Sequence, residues 1–335
     1  MKYRTAIRWY RPTSCGYYKH GYPDTPVFGS LDYLMDELVH FTKNKKLSQT
    51  RLLADQTVLQ TYVAGISESN GVYAVVLWNQ VNSTGRTVNS LPGDALVGQA
   101  KAEKTKVKKG NIPGYPTYFL VLPEYEAIGV LRVIDNVSGL DAFKKYAGMF
   151  LEASTRSVVS EMDGGNVSIK GYREKKQDPI QALFPRFALQ VRRDETRAQF
   201  IRDNAAKVRK VIRLRTLDVQ QNPSDFAAWQ GFLKWVGLSS SHASKSEMRV
   251  KNEVDVNNDA SSIIKLVDEN ENAVVAHEND FGFIMTGGGD PHWLSNAICS
   301  ATIELELVAE NGVFSAVQIS QAAGKAKVTL SKTIL

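Results

Sequence analysis

The sequence predicts an α+β protein in which helices cover antiparallel sheets, divided into two domains. Three observations predict it. Two strand–turn–strand patterns rich in β-branched and aromatic residues follow one another in the first half, bracketed by two segments with apolar residues at helical spacing. The length, 335 residues, suits about two domains. The hydrophobic and charged fractions, 43% and 23%, are those of a globular chain and exclude a disordered or fibrous one.

Residues 3–10 alternate loosely and read as a strand, followed by a loop rich in Gly, Pro and Tyr through 26. Ser30 is placed to cap a helix over 31–41, with Leu31, Leu34, Leu38 and Phe41 on one face. Lys43, Lys45 and Lys46 close it, where the helix dipole favours cations. Segments 57–66 and 72–81 flank Asn70-Gly71, a strong hairpin signal. Residues 82–94 read as loop, and the Lys-rich 99–111 as a short helix or loop. A second strand pair, 115–122 and 127–135, turns on Pro123-Glu124-Tyr125-Glu126. Ser138 is expected to cap a helix through 152 whose apolar face is Leu140, Phe143, Tyr146, Ala147, Phe150 and Leu151.

Gly164-Gly165 and the polar run 171–179 mark the expected boundary, giving domains 1–165 and 166–335. The second domain should contain a basic strand–helix–strand segment at 184–217. It is followed by a helix opened by Pro223 through 236, a loop at 239–246, strands at 248–256, 262–267 and 273–276, and a glycine turn at 287–289. Asp290-Pro291 is expected to start a helix through about 307, with two terminal strands at 313–319 and 325–333.

Cys15 and Cys299 stand far apart and make no disulfide framework, which fits a reducing compartment. The charged start lacks the apolar core of a signal peptide, and no apolar run reaches the 18 residues of a membrane span. The expected location is cytoplasmic.

No enzyme active site is visible. None of His20, His40, His242, His277 and His292 pairs with another His or Cys at ligand spacing. Met285-Thr286-Gly287-Gly288-Gly289-Asp290 lacks the Lys-Ser/Thr of a phosphate loop and reads as a turn. There is no G-x-S-x-G elbow. Asp255, Glu304 and Glu306 are candidate acids of a metal-dependent nuclease by residue type alone. No catalytic residue, metal or cofactor is therefore assigned.

Charge is the strongest signal. Residues 170–215 hold fourteen Lys/Arg against five Asp/Glu, a net of +9 in a chain of +6; residues 1–169 sum to +4 and 216–335 to −7. Such a block points to an anionic partner, nucleic acid first among them. From Val208 the pattern has period two, which puts Arg209, Val211, Arg213 and Arg215 on one strand face. Arg213 and Arg215 would stand about 7 Å apart, near the spacing of neighbouring phosphates, and guanidinium forks suit phosphate oxygens. Arg192, Arg193, Arg197, Arg202, Lys207 and Lys210 flank this face, and Arg249 and Lys251 add to it later in the chain. The contacts implied are to the backbone of double-stranded DNA without sequence preference. A protein-interaction module whose basic face docks an acidic partner, including the acidic 250–310 region of the same chain or a second copy, accounts for the same charges.

Residues 111–151 resemble the middle of the RexA-type phage-exclusion proteins. The resemblance rests on Gly114-Tyr115-Pro116 leading a strand, Ile128-Gly129 in its partner, and Asp141-Ala142-Phe143 in the helix that follows. The order of the other elements is similar over about two-thirds of the chain. The resemblance implies a prophage-encoded defence factor of the abortive-infection type. Such a factor would be a homodimer that binds DNA with little sequence preference and acts with a membrane-protein effector encoded nearby. The basic cluster around 193–206 departs from that family, so its contact positions do not carry over and the site assignment rests on charge.

Overall fold

The computed structural model describes residues 2–22, 24–52, 59–82, 88–101, 103–105, 110–133, 139–163, 166–218, 247–256, 260–271, 279–294 and 299–334. It is an α+β fold built on antiparallel sheets. Two compact units divide the chain: unit 1 is Met1–Arg192 with Ser300–Leu335, and unit 2 is Arg193–Cys299.

Unit 1 is organised around β1 (Lys2–Tyr18). Its nine-stranded sheet also holds β2 (Thr61–Ser69), β3 (Val72–Gln80), β4 (Val88–Pro92), β5 (Glu103–Thr105), β6 (Asn111–Leu122), β7 (Ala127–Arg132), β10 (Phe184–Val191) and β15 (Ser300–Glu306). A separate hairpin, β8 (Val158–Asp163) with β9 (Asn166–Tyr172), lies off this sheet. The main order is β10-β1-β7-β6-β3-β2, with β15 also on β1. Both expected hairpins are present: Asn70 and Gly71 adopt positive φ between β2 and β3, and β6 pairs with β7 across Pro123–Tyr125.

Helices cover both faces of this sheet. On one side, α1 (Leu31–Thr42) and α2 (Leu140–Ala153) bury Leu34, Leu38, Phe143, Tyr146 and Phe150 against Val75, Phe119, Ile128 and Val130. Ser30 caps α1, its hydroxyl accepting from the Tyr33 N–H. On the other side, α5 (Ala316–Lys325) and α6 (Lys327–Ser331) close the sheet: the Ser320 hydroxyl donates to that of Ser67, and Trp9 Nε1 donates to Thr333 Oγ1. Burial on both faces explains why β3 is apolar at nearly every position rather than alternating. Two glycines of the 111–151 stretch are needed for close approach. A Cβ on Gly114 would sit 2.3 Å from Asn79 O, and one on Gly129 would sit 2.6 Å from the Trp9 ring.

β10 and β15 lie end to end on the same side of β1. Val191 pairs with Tyr10, the Arg192 N–H donates to Trp9 O at 2.9 Å, and Ser300 pairs with Arg8. They act as one strand into which residues 193–299 are inserted. The boundary expected at 165/166 falls instead within the β8–β9 ladder, between Asp163 and its partner Asn166. The β8–β9 ladder stands on both sides of the expected boundary.

Unit 2 packs α3 (Glu195–Asp203) and α4 (Ala260–Glu271) with a four-stranded sheet ordered β12 (Glu247–Asp255), β11 (Val208–Asp218), β13 (Asn279–Met285), β14 (His292–Trp293). Its buried residues include Ala198, Ile201, Ile212, Ile263, Val267 and Phe283.

Several expectations are corrected. β1 runs on through residues 11–18, expected as loop, because β10 supplies a hydrogen-bonding partner. Residues 88–92 and 103–105, expected as loop or helix, form the small β4–β5 pair. Gly139 stands at the α2 N-cap; Ser138 lies outside the described residues. Residues 262–267 are helical, with Ile263 and Val267 buried one turn apart, so helical burial overrides the β-branched composition. The helix expected from Asp290 is not formed: His292–Trp293 and Ser300–Glu306 are strands, the latter with strict exposed–buried alternation. The two terminal strands are helices, with Ala316, Ile319, Ser320 and Ala323 buried at helical spacing behind the Ser315 cap. The expected helix through 236, the loop at 239–246 and the strand at 273–276 lie outside the described residues.

Candidate nucleic-acid interface

β11 is central in its sheet, paired with β12 on one side and β13 on the other, so its period-two pattern becomes two distinct faces. Arg213 lies opposite Asn252 and Phe281, Val211 opposite Val254 and Phe283, and Arg215 opposite Val250 and Asn279. Arg209 is exposed and makes no ion pair among the described residues. Arg213 is exposed, and its guanidinium lies 5.5 Å from the Phe281 ring centroid. Arg215 follows Arg213 by register; its side chain, like those of Arg197 and Arg249, lies outside the described ones. A register shift between Val208 and Lys210 offsets Arg209 slightly from the regular repeat.

The other face of β11 is a different electrostatic environment. Lys210 Nζ stands 3.1 Å from Glu253 Oε2, and Lys251, opposite Leu214, donates to the same carboxylate. Hydrogen bonds from Lys251 and then Lys210 hold the Glu253 carboxyl below the usual carboxylate range. Arg202 Nε donates to Asp268 Oδ1 at 3.0 Å and ties α3 to α4. Lys207 is exposed and donates to Asn204 Oδ1 at 3.0 Å. Arg193 is half-buried. Arg192 belongs to unit 1, where Nη1 donates to Tyr125 O at 2.8 Å and braces the β6–β7 turn. The expected group is thus divided: Arg209 and Arg213 share a face, while Arg202, Lys210 and Lys251 answer to carboxylates of their own unit.

The unit boundary also divides the charge. Residues 193–299 carry thirteen Lys/Arg against fifteen Asp/Glu, and the rest of the chain twenty-eight against twenty. Unit 2 is therefore −2 and unit 1 is +8, although the linear count placed the excess around 170–215.

Other chemistry is sparse. Among the described residues no group of three His, Cys, Asp or Glu could hold a metal. Asp255 belongs to unit 2, and Glu304 and Glu306 project from the exposed face of β15 in unit 1. Burial pushes the Cys15 thiol up to about 12, which leaves it unreactive at neutral pH. Unit 1 holds a cavity of about 490 Å³ lined by Ala64, Gly65, Leu91, Phe314 and Gln318, with Lys101 and Glu310 at 3.8 Å from one another at its mouth. Among the described residues no helix is long and apolar enough to cross a membrane. Neither protein-family models, nor curated proteins, nor solved structures give a match to this chain.

Proposed function

We propose that the protein binds double-stranded DNA through its phosphate backbone, without sequence preference, using the Arg209–Arg213–Arg215 face of β11. The observation that carries this reading is the exposure of Arg209 and Arg213 on one face of a central strand, with Arg215 next in register. A rigid strand holds such cations at fixed intervals, and guanidinium groups match phosphate oxygens in fork geometry. Within the RexA-type resemblance this activity belongs to a homodimeric cytoplasmic exclusion factor acting with a membrane-protein effector, and that wider reading is part of the proposal. A second reading, a module whose basic face docks an acidic protein, is favoured by the Lys210–Glu253 and Arg202–Asp268 pairs.

Gel-shift titration with unrelated duplexes at two salt concentrations tests the proposal. Binding should weaken steeply with salt, by a slope of about 0.9 for each phosphate contacted. Replacing Arg209 and Arg213 by Ala should lower affinity equally for all sequences and reduce the slope by about one per lost contact. Absence of binding at low salt, or a loss confined to one sequence, overturns it.

A further inference from the structure

The described part of unit 1 contains a second cationic group, assembled from residues distant in sequence. Arg4, Ala6 and Arg8 alternate along β1 and share a face, while Thr5, Ile7 and Trp9 on the opposite face are buried. Ala6 pairs directly with Arg132 on β7, which places Arg132 diagonally between Arg4 and Arg8 on the same face. Arg8 and Arg132 are half-buried and Arg4 is exposed. Among the described residues none of the three guanidinium groups makes a hydrogen bond or an ion pair. Among the described residues, the carboxylates paired against this part of β1 are on β15: Glu304 lies opposite Arg4 and is 3.9 Å from Lys2, and Glu306 lies opposite Lys2. Neither is paired across from Arg8 or Arg132, whose β1 and β7 neighbours are Ala6, Val130 and Tyr10.

Two guanidinium groups side by side, half out of water, repel one another. Burial and then the Arg8 charge both pull the Arg132 pKa below its ordinary value. The helix α2 adds to the positive potential. Its N-cap Gly139 is packed so tightly on Thr117 that a Cβ there would sit 2.5 Å away, and Thr117 directly precedes Tyr118, the partner of Leu131 next to Arg132. The positive end of the helix dipole therefore lies toward the Arg132 end of β7. A fold gains nothing from such an arrangement by itself, whereas a bound oxyanion would convert the repulsion into several charge-assisted hydrogen bonds.

We propose that Arg8 and Arg132, with Arg4 at the rim, form a binding site for a phosphate group on the α1/α2 face of the unit 1 sheet. The site is separate from the β11 face and does not rest on it. The phosphate is carried either by a small molecule or by a nucleic-acid backbone, and the chemistry of recognition is the same for both. Calorimetric titration of the full-length chain with inorganic phosphate, and duplex gel shifts at low salt, distinguish the two. Arg8→Ala and Arg132→Gln should each weaken the wild-type interaction about tenfold or more, the loss expected for one guanidinium–phosphate fork. Loss of phosphate binding assigns the site to a small phosphate-bearing ligand. A drop in duplex affinity without phosphate binding assigns it to a phosphodiester backbone. If phosphate does not bind and duplex affinity stays within twofold, the proposal is overturned. Arg8→Lys should recover part of the affinity, and in phosphate-free, low-salt buffer Arg132→Gln should melt no lower than wild type because it relieves repulsion. A lower melting temperature would mark Arg132 as a structural residue and overturn its role. Arg209→Ala/Arg213→Ala should leave the phosphate titration unchanged, so failure of the β11 reading and failure of this one are separable.

Discussion

Units 1 and 2 solve the problem of a stable sheet in opposite ways. Unit 1 has nine strands with helices on both faces, and its fully buried side chains include Trp9, Trp78, Tyr17, Phe119, Phe143 and Phe150. Unit 2 has four strands and a smaller buried set, and its basic strand carries charge into the sheet centre, where Glu253 answers Lys210, while Asp268 answers Arg202 on α3. All thirteen tyrosines lie in unit 1 and none in residues 193–299. The difference teaches that the basic run of the linear sequence is not one surface. It begins on an edge strand of a cationic unit and continues into a slightly anionic one.

The largest expected effect that separates the units is alkaline unfolding. Burial raises the pKa of Cys15 from 9.0 to about 12 and also raises those of Tyr17 and Tyr146, all in unit 1. These acids are held neutral by the fold, so the unfolded chain loses their protons first. Their contribution is whole below pH 9.0 and is lost as pH rises from there toward about 12. Tyrosinate absorbance should therefore rise cooperatively with loss of near-UV circular dichroism. Titration of all thirteen tyrosines near pH 10 with the tertiary signal intact would contradict the packing described for unit 1.

Phe150→Ala comes next. Phe150 is fully buried between α1 and α2, with the Phe41 ring at 5.1 Å, and truncation should cost about 3–5 kcal/mol in urea denaturation. A loss below about 1 kcal/mol would mean that the α1/α2 layer is not the core. Glu37→Ala should cost less, about 2 kcal/mol. It removes the buried carboxylate that accepts from both the Arg156 backbone N–H and Nε at 2.7 Å, while Arg156 remains half in water and keeps Asp36.

The smallest effect should come from the most drastic change. Joining Arg192 directly to Ser300 removes unit 2 and leaves Val191, Arg192 and Ser300 facing Tyr10, Trp9 and Arg8 in unbroken register. Unit 1 should fold with a loss of stability no greater than about 1 kcal/mol, since deleting the insertion removes a loop-closure cost and adds none. Aggregation or loss of the tertiary signal in this variant would show that unit 1 depends on residues 193–299.

Hairpins, amphipathic helices α1 and α2, and the alternation of β11 were legible in the sequence because each is a local pattern. Asn70-Gly71 needs only positive φ at two residues, and Phe143, Tyr146, Phe150 need only helical spacing. The elements misread were those whose local signals conflict. The Ile263-Ile264 pair favours a strand until Ile263 and Val267 are buried together, and Asp290-Pro291 imitates a helix start before residues that pair as strands. The candidate site shows the same division. Arg209 and Arg213 were found by periodicity, but their separation from Lys210, Lys251 and Arg202 depends on where Glu253 and Asp268 fall. Arg8 and Arg132 escaped notice because residues far apart in sequence become neighbours only when β1 pairs with β7.

By itself, then, the sequence determined the α+β class, the hairpins, the helical layer over one face and the arginine period of β11. All of these follow from φ/ψ preference and the two side-chain periodicities of strand and helix. Tertiary structure alone decided that β10 and β15 are one strand interrupted by unit 2, that the C-terminal segment closes the second face as helices, and which cations meet carboxylates. Those outcomes depend on strand partners chosen across the whole chain, and no local pattern carries that choice.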